Sequence, residues 1–502
     1  MKRYAIGLDN GGTMTKAALF DVNGREICVV SRKTPVFSPK PGYSERDMEE
    51  IWQANCFCIQ QVLAQSGVMP EEILGLAVCG HGKGLYLWGK DGRPAYYGIG
   101  STDNRAWRIV EQWYADGTHA AVYPQICQQL MACQQAPLLK WIKEQRPEVY
   151  ANIQYVFSVK DYIRFRLTGE AWSESTDISG SGLMDVQNCC FDRTLLERLG
   201  IGEIYDALPG LKSSCDFCGS ITEQAAALTG LLPGTPVAGG MFDVDACAIA
   251  AGVTRPGQIC TITGTWSINE FISPKPITGT QIAMNSIYAI PGYYLLEESS
   301  ATSAGNLEWA IENCLDTGGR TGSALYDYLG KQVESIPPEN SEVYYLPFLY
   351  GSNAHPLAKA SFVGLTSFHT SAHMVRAVYE GVAFSHRTHI DKLRSVTERP
   401  DSIRMAGGAV KSPMWVQMFA DVLGCAIETV DGVTELGALG CAMAAAVAAG
   451  VYPGYEAAAE RMVHINPPVQ PDMDKHKIYN KKYEKYTAIV KALDTVWDEF
   501  QV

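Results

Sequence analysis

The fold is decided by the stretch YAIGLDNGGTMTKAALFD at residues 4–21. Its apolar residues at 4–8 and 16–20 predict two strands, which are separated by a turn of glycines and hydroxyl residues. A plain hairpin needs only two turn residues of the Asn-Gly kind, and this turn is longer. Gly11 and Gly12 allow backbone N–H groups to approach a ligand closely. The stretch is therefore either a hairpin with a roomy turn or a cradle for phosphate groups.

The polar side chains beside the two glycines are compatible with the phosphate cradle. Thr13 and Thr15 add hydroxyl donors, and Asp9 adds a carboxylate of the kind that holds hydrated Mg²⁺. An ordinary hairpin tolerates the same residues, so this stretch alone does not choose between the two interpretations.

The composition is that of a well-packed globular protein with two or more domains. The chain has 502 residues, of which 47% are hydrophobic, and its formal net charge is 41 − 54 = −13. It has no basic run of the kind that nucleic acid or an anionic membrane would require. We therefore expect neither as a partner.

Two further features predict a cytoplasmic location. The first predicted strand begins at residue 4, which leaves no room for a signal peptide. The most apolar segment, residues 436–452, is rich in alanine and glycine and is shorter than a membrane span. We predict that it forms a helix buried between neighbouring elements.

Fifteen cysteines raise the question of a metal or disulfide site. Most stand singly in apolar runs, where a thiol behaves as a small hydrophobic group. The pair Cys215 and Cys218 lacks a second pair, or histidines, at the spacing of a zinc site. We expect neither a metal bound by these cysteines nor structural disulfides.

The chain repeats its own plan. Each half contains, in order, a strand–turn–strand unit, a helix, a strand and a glycine turn. These elements lie at 4–21, 47–65, 73–78 and 80–84 in the first half, and at 257–272, 372–395, 402–406 and 407–408 in the second. Ligands of such sheets bind at the carboxyl ends of the strands. The order predicts two α/β domains around a shared nucleotide cleft, followed by an amphipathic helix from about residue 475 that packs back on the body.

The segment GTPVAGGMFDVDAC at residues 234–247 holds the best candidate for a general base. A strand ends before two glycines, and Asp243 follows within a few residues, where a carboxylate is well placed to accept a proton from a hydroxyl group. Asp245 is predicted to cap the next helix. The alternative is that both aspartates are helix caps.

Five segments of the sequence, spread over essentially the whole chain, resemble segments that occur in the same order in the FGGY carbohydrate kinases. They are residues 9–16, GGMFDVDA at 239–246, TITGTW at 261–266, YEGVAFSHR at 379–387 and AGGAVKSPMWVQMFADVLG at 406–424. The resemblance implies an α/β, actin-like (ribonuclease H-like) fold with duplicated domains and an ATP/sugar cleft. The implied domains are residues 1–245, which bind the sugar and the first phosphate turn, and residues 246–502, which bind the nucleotide and end in a helix.

The resemblance also implies roles for individual residues. Asp243 would be the catalytic base and would contact the sugar, and Asp9 would hold Mg²⁺ through water. The groups expected to bind ATP are Gly11, Gly12, Thr13, Thr15, Lys16, Gly264, Thr265, Gly407, Gly408 and Ala409.

Sugar recognition is expected in the first half. His81 and Lys83, in the turn GHGKG, and Asp103, in GSTDN, are predicted to contact hydroxyl groups of the substrate, because polyol recognition needs convergent hydrogen-bonding groups. His81 is alternatively a buried packing residue. Asp47 is predicted to cap the helix that follows it and not to contact the sugar.

The implied activity is ATP- and Mg²⁺-dependent phosphorylation of a ketose at its primary hydroxyl group. Three segments favour L-xylulose: PGYSERDMEEIW at 41–52, SVKDYIRFRLTG at 158–169 and LPFLYGSNAHP at 346–356. D-xylulose, ribulose, fuculose and glycerol are alternative substrates, and a non-catalytic actin-like sugar sensor is an alternative function. A homodimer is also expected.

Overall fold

The fold is given by a computed structural model, which describes residues 3–264, 266–279, 282–315, 317–355, 357–397 and 400–500. In chain order the strands are β1 Tyr4–Asn10, β2 Met14–Asp21, β3 Glu26–Lys33, β4 Glu45–Arg46, β5 Ile73–Gly80, β6 Tyr86–Gly89, β7 Gly98–Ile99, β8 Ile153–Phe157, β9 Ser173–Glu174, β10 Met184–Asp185, β11 Cys190–Phe191, β12 Leu211–Lys212, β13 Phe217–Ser220, β14 Pro236–Ala238, β15 Met241–Phe242, β16 Ile259–Thr263, β17 Ser267–Ser273, β18 Met284–Ile287, β19 Tyr294–Ser300, β20 Tyr344–Leu346, β21 Ser361–Val363, β22 Ser402–Gly407 and β23 Ala426–Thr429.

In the same order the helices are α1 Met48–Ser66, α2 Trp107–Ala115, α3 Thr118–Ile126, α4 Gln135–Gln145, α5 Pro147–Asn152, α6 Val159–Thr168, α7 Ser175–Ile178, α8 Arg193–Arg198, α9 Glu223–Thr229, α10 Asp243–Ala250, α11 Gly305–Asn313, α12 Gly322–Glu334, α13 Ser371–Arg394, α14 Pro413–Leu423, α15 Leu436–Ala448, α16 Tyr455–Met462 and α17 Met473–Asp494.

The chain forms two compact units. The first comprises residues 1–256, 272–296 and 432–464, and the second comprises residues 257–271, 297–431 and 465–502. The units differ from the predicted domains because two later segments belong to the first unit. Helix α15 explains one of them, since it lies directly against β1: a Cβ atom on Gly7 would stand 1.8 Å from the carbonyl oxygen of Ala438. The division at 245/246 stays a prediction about the domains in the sequence.

The first sheet is built around the opening hairpin. Its strand order is β13-β14-β5-β1-β2-β3, and β15 also pairs with β5. Strand β1 is antiparallel to β2 and parallel to β5, which is itself parallel to β14 and β15. The predicted strands at 4–8 and 16–20 are confirmed, and each extends by one or two residues at its ends.

The second sheet repeats this plan. Its strand order is β18-β19-β17-β16-β22-β23, with the hairpin β16–β17 in the place of β1–β2 and the parallel strand β22 in the place of β5. Strand β23 is parallel to β22, as β14 is to β5. The predicted repeat is thus present in the strand order, although few residues coincide.

Helix α1 shows how local sequence sets an element that supports the first sheet. Asp47 caps its start by accepting hydrogen bonds from the backbone N–H groups of Glu49 and Glu50, and this confirms the predicted cap. Gly67, with φ of 69°, ends the helix. The apolar face of this helix is buried in the core of the first unit.

Two further helix predictions are also confirmed. Residues 437–446 of α15 are buried, so the most apolar segment is an internal helix. Helix α17 packs on the second unit through Tyr479, Lys482 and Tyr486. In that interface Arg376 of α13 donates to the Tyr479 hydroxyl at 2.6 Å, and Lys482 pairs with Glu380 at 2.5 Å.

Candidate active site

Three parallel strand segments end side by side at one edge of the first sheet. Asp9 of β1 is opposite Cys79 of β5, which is opposite Met241 of β15. Asp243 follows β15 directly and is the first residue of α10. Because neighbouring strands lie about 4.8 Å apart, the two aspartates stand at one edge, about two strand spacings apart. The sequence predicted that each aspartate follows a strand, and the sheet shows that the two strands end at the same edge.

Asp9 lies half-buried beside a small network of charges. Its cross-strand neighbour Lys16 forms an ion pair with Glu435, with 2.6 Å between Lys16 Nζ and Glu435 Oε2. The Cys79 sulfur lies 3.7 Å from Asp9 Oδ1. Burial raises the pKa of Asp9, and Glu435 adds to this rise, whereas Lys16 opposes it. The charged form of this carboxyl group would therefore gain from a nearby cation.

The donor set fits Mg²⁺ better than a metal held by several side chains. Among the described residues, no group of three or more His, Cys, Asp or Glu side chains could hold a metal ion. Mg²⁺ usually binds proteins through one or two carboxylates and keeps waters and substrate phosphates as its other ligands. Asp9 is such a carboxylate, and burial raises its pKa in spite of the opposing charge of Lys16.

The turn after β1 is open. Gly12 and Thr13 are exposed, and a Cβ atom on Gly12 would meet nothing within 4 Å. Neither Gly11 nor Gly12 has a positive φ, so the backbone conformation does not require glycine at either position. The absence of side chains there leaves space for a ligand beside the turn. Thr15 differs from the prediction because it is fully buried and donates to the Asn10 side chain at 3.2 Å. Its hydroxyl group supports the turn from inside and does not face it.

The GHGKG turn packs directly against the segment that carries Asp243. A Cβ atom on Gly82 would stand 2.2 Å from the Phe242 ring, so only glycine allows this contact. His81 is buried and hydrogen-bonded at both nitrogens, to the Tyr86 hydroxyl at 2.9 Å and to the Gly82 carbonyl at 3.3 Å. Burial, reinforced by a nearby arginine, lowers its pKa to about 3. His81 is therefore neutral, and its hydrogen bonds hold the turn; its contact with the substrate stays a prediction.

Lys83 lies in the same turn, is half-buried and has a φ of 63°. A positive φ is uncommon for a residue with a side chain. The turn therefore holds Lys83 in a conformation that its own preference would not choose, which is frequent at ligand-binding positions.

Asp103 is bound to protein groups on both carboxylate oxygens. It accepts from the backbone of Ser44 at 2.7 Å and from three donors of Arg105, at 2.8 to 2.9 Å. Arg105 also pairs with Glu45 at 2.9 Å, and both side chains of the Asp103–Arg105 pair are fully buried. The carboxylate has no acceptor site left for a sugar hydroxyl group. The predicted direct contact is therefore corrected: Asp103 holds Arg105 and the loop at residues 100–105.

The segment before Asp243 is clamped at both ends by buried side chains. Arg164 donates to the carbonyl of Gly239 at 2.5 Å, and the Phe242 N–H donates to the Thr176 hydroxyl at 2.9 Å. Between them Gly240 has φ of 74°, and a Cβ atom there would stand 1.9 Å from a carbonyl oxygen of β5. These contacts fix where α10 begins and hence where the Asp243 carboxylate emerges.

Asp245 is not the helix cap that was predicted. Helix α10 begins at Asp243, so Asp245 is its third residue, and its buried Oδ1 accepts from the Ala289 N–H at 3.0 Å. Asp243 itself is half-buried and has partners of its own. The two neighbouring carboxylates thus face different surroundings, and only Asp243 stands at the edge of the sheet.

The second sheet places its glycine turns at one edge in the same way. Thr263, at the end of β16, is opposite Gly407, at the end of β22. Gly407 has φ of 91°, and a Cβ atom there would stand 2.5 Å from the Thr263 carbonyl oxygen, so glycine is required. The Ala409 N–H donates to the Thr263 hydroxyl at 3.3 Å, which ties the two turns together. Gly264 and the exposed Gly408 lie beside them, and Thr265 lies outside the described residues.

Several residues of the first edge were not predicted. They are Cys79, Glu435, Gly437, Thr176, Arg164 and Arg46, which contact Asp9, Lys16, the Asp243 segment or the turn after β1. Most lie far from these partners in the sequence and carry no motif that would link them. Glu435 is 419 positions from Lys16, for example.

Comparison with known proteins assigns the fold to a family. The model of the N-terminal domain of the FGGY family of carbohydrate kinases matches residues 4–250, and the model of its C-terminal domain matches residues 260–449. The chain belongs to the FGGY family of carbohydrate kinases. It is therefore an enzyme that phosphorylates a small sugar substrate, and FGGY kinases use ATP as the phosphate donor.

Individual relatives match over nearly their whole length. The chain is 40% identical to the L-xylulose/3-keto-L-gulonate kinase of Escherichia coli K12, over 98% of both chains. It is 37% identical to the probable L-xylulose kinase of Pasteurella multocida, over 98% of this chain and 99% of that protein. Among solved structures, ligand-bound xylulose kinase from Lactobacillus acidophilus superimposes with a TM-score of 0.90 at 25% identity, over 99% of this chain and 100% of that chain. These matches confirm the predicted actin-like FGGY fold.

None of the helices in the described ranges has the length and apolarity that a membrane span requires. All cysteines that the structure describes are free thiols. Most are buried, and burial raises the pKa of the Cys56 thiol to about 12 and of the Cys58 thiol to about 11.

Proposed function

We propose that this FGGY kinase transfers the terminal phosphate of ATP to the primary hydroxyl group of L-xylulose and forms L-xylulose 5-phosphate. The observation that carries the sugar assignment is the 40% identity, over 98% of both chains, to a kinase named for L-xylulose and 3-keto-L-gulonate. A second relative with 37% identity is also named as a probable L-xylulose kinase.

Asp243 is proposed as the general base. It begins α10 at the edge of the first sheet, and the clamps on Gly239 and Phe242 hold the segment before it. A carboxylate at this position takes the proton of the sugar hydroxyl group as that oxygen bonds to phosphorus. The proton moves to Asp243, the new P–O bond forms on the sugar oxygen, and the bond between the γ-phosphorus and the bridging oxygen of ATP breaks to leave ADP.

The turn from Gly11 to Thr13 is proposed to receive the terminal phosphates. Its exposed Gly12 offers a backbone N–H group in a part of the turn that is open. Such donors stabilise the spread negative charge of a transferring phosphoryl group. The ammonium group of Lys16 lies on the strand that follows. Burial alone would lower its pKa, but Asp9 and Glu435 outweigh burial and raise it, so Lys16 stays charged.

Asp9 is proposed to hold Mg²⁺ through water. Mg²⁺ bound there would neutralise charge on the phosphates and orient them. In the second unit, Gly264, Gly407, Gly408 and Ala409 are proposed to bind the nucleotide, because they lie together at one strand edge, where Gly408 is exposed. Thr265 stays a prediction.

The GHGKG turn is proposed as the platform for the ketose. Its contact with Phe242, the residue before Asp243, supports this proposal. Lys83 is the side chain of this turn proposed to contact the substrate. His81 and Asp103 support the platform through their own hydrogen bonds. The homodimer and the cytoplasmic location stay predictions.

A substrate panel tests the proposal. ADP release with Mg-ATP is measured for L-xylulose, D-xylulose, ribulose, fuculose, glycerol and 3-keto-L-gulonate under identical conditions. We expect the highest kcat/KM with L-xylulose. A tenfold preference for another compound of the panel would overturn the sugar assignment and leave the kinase assignment intact.

A further inference from the structure

Arg46 is a buried cation without a carboxylate partner. It is the second residue of β4, is 1% exposed and is opposite Gly98 in the short ladder with β7. Among the described residues it forms no ion pair, and its Nε has no hydrogen-bond partner. A buried guanidinium is costly unless its charge is compensated. The other buried arginines of the first unit, Arg105 and Arg164, both pair with carboxylates.

One of the two neutral partners of Arg46 lies in the turn after β1. Its Nη1 donates to the carbonyl of Gly11 at 3.1 Å, inside the phosphate turn, and its Nη2 donates to the hydroxyl of Thr34. Its charge also acts on the nearby Tyr86 hydroxyl. The Tyr86 ring packs against Gly98, the residue opposite Arg46, where a Cβ atom would stand 2.4 Å from the ring.

The bond to Gly11 fixes the direction of the next N–H group. In a trans peptide the carbonyl oxygen of one residue and the N–H of the next point in opposite directions. Since the Gly11 carbonyl points inward to Arg46, the Gly12 N–H points outward, into the open space in front of the turn. The positive charge of Arg46 lies directly behind this N–H group and adds to its attraction for an anion.

Tyr86 is hydrogen-bonded to the sugar platform through His81. The Gly82 carbonyl can only accept, so His81 Nδ1 carries the hydrogen and His81 Nε2 accepts from the Tyr86 hydroxyl. The charge of Arg46 favours the ionised form of the Tyr86 hydroxyl and so opposes the rise in its pKa that burial causes. Arg46 therefore acts on Tyr86 through its charge, and the hydrogen bond from Tyr86 to His81 connects Tyr86 with the GHGKG turn.

We propose that Arg46 is a positioning residue that aims the Gly12 N–H at the transferred phosphoryl group and joins the phosphate turn to the sugar platform. Its missing counter-charge is the phosphate of the bound nucleotide. The proposal rests on the proposed function, since it takes the turn at Gly11 and Gly12 as the phosphate site. Arg46 acts through the backbone and does not touch the substrate.

The test separates the two connections of Arg46, one to the phosphate turn and one to the sugar platform through Tyr86, which we call the sugar arm. In Arg46→Met the charge and both donors are lost, and in Arg46→Lys the charge stays but the fork geometry is lost. We expect kcat with L-xylulose to fall at least a hundredfold in Arg46→Met and about tenfold in Arg46→Lys, with a raised KM for ATP in both. In Tyr86→Phe, which cuts only the sugar arm, we expect KM for L-xylulose to rise at least threefold and KM for ATP to change less than twofold.

Arg166→Met is the matched control, because Arg166 pairs with Glu49 and stacks on Trp52, away from both turns. We expect it to keep kcat within twofold. If Arg46→Met fails to fold by circular dichroism, Arg46→Lys and Tyr86→Phe decide. Folded variants of Arg46 and Tyr86 with wild-type kcat and KM values would overturn the proposal. A wild-type enzyme without L-xylulose kinase activity but with these losses on another sugar would overturn the substrate assignment only.

Discussion

The edges of the two sheets share a strand order but carry different chemistry. The first edge is charged, with Asp9, Asp243 and the Lys16–Glu435 pair close together. The described residues at the turns of the second edge are glycines, an alanine and Thr263. The glycines also differ in kind: Gly12 stands in open space, whereas Gly407 is required by a positive φ and a backbone contact. The repeated topology thus supplies one edge suited to phosphoryl transfer and one suited to holding a nucleotide by its backbone groups.

Replacing the proposed base should have the largest effect. Asp243→Asn keeps the size of the side chain but removes the proton acceptor, so we expect kcat to fall by about 10²–10⁴. Asp245→Asn, two residues later in α10, is the matched control: it should weaken the bond to Ala289 and lower Tm, with kcat within threefold. Equal kcat losses in the two variants would show that Asp243 acts through the fold alone.

Replacing Asp9 should affect activity and stability in opposite directions. Asp9→Asn removes the proposed Mg²⁺ ligand, and we expect kcat to fall by about 10². Because burial raises the pKa of Asp9 in the folded protein, its ionisation destabilises the fold as pH rises through that raised pKa. At pH 7 the ligand-free Asn variant should therefore have a higher Tm than the wild type, and this difference should vanish near pH 3.

Thermal unfolding without metal or nucleotide, measured from pH 3 to pH 8, checks the sign of this effect. A ligand-free Asn variant that is less stable than the wild type at pH 7 would contradict the raised pKa of Asp9.

The same substitution in the two glycine turns should give different results. Gly12→Val meets no neighbour in the fold and needs no positive φ, so Tm should stay within about 2 °C while ATP affinity falls at least tenfold. Gly407→Val forces a branched side chain into a positive φ and against the Thr263 carbonyl, so Tm should fall by several degrees. Calorimetry of ATP binding and thermal unfolding of both variants test this contrast. A normal ATP affinity in Gly12→Val would show that the first turn does not bind phosphate and is an ordinary hairpin.

The smallest catalytic effect is expected at Asp103. Asp103→Asn weakens a fully buried pair with Arg105, so stability should fall markedly. Because the carboxylate has no acceptor site left for a sugar, kcat/KM for L-xylulose in the folded variant should fall less than about fivefold. A loss of tenfold or more with unchanged Tm would restore Asp103 as a direct sugar ligand.

The sequence was sufficient to predict the elements that depend on local patterns of residues. The opening hairpin, the capped helix α1, the buried helix α15 and the repeated order follow from periodicity, caps and turn residues close together in the chain. The FGGY resemblance added the positions of the two edges. The burial of Thr15, the saturated carboxylate of Asp103 and the position of Asp245 inside α10 were not predictable, because each depends on which partner side chains fill its hydrogen bonds.

The missed residues show the same limit more clearly. Arg46 stands in the segment SERD, where the sequence indicated only the helix cap Asp47. Its importance arises from its tertiary contact with Gly11, from the action of its charge on Tyr86, and from the lack of a carboxylate beside it. A lone arginine in a sequence gives no sign of its burial or of its missing counter-charge.

The central claim is that the charged edge of the first sheet transfers phosphate to the primary hydroxyl group of L-xylulose with Asp243 as the base. It is tested most directly by ³¹P NMR of L-xylulose and Mg-ATP incubated with the wild type and with Asp243→Asn at equal concentration. We predict that the wild type converts ATP to ADP and L-xylulose 5-phosphate, whereas the variant binds ADP normally and forms less than about one hundredth as much product in the same time. Phosphorylation at another position, or product formed by the variant at the wild-type rate, would contradict the claim.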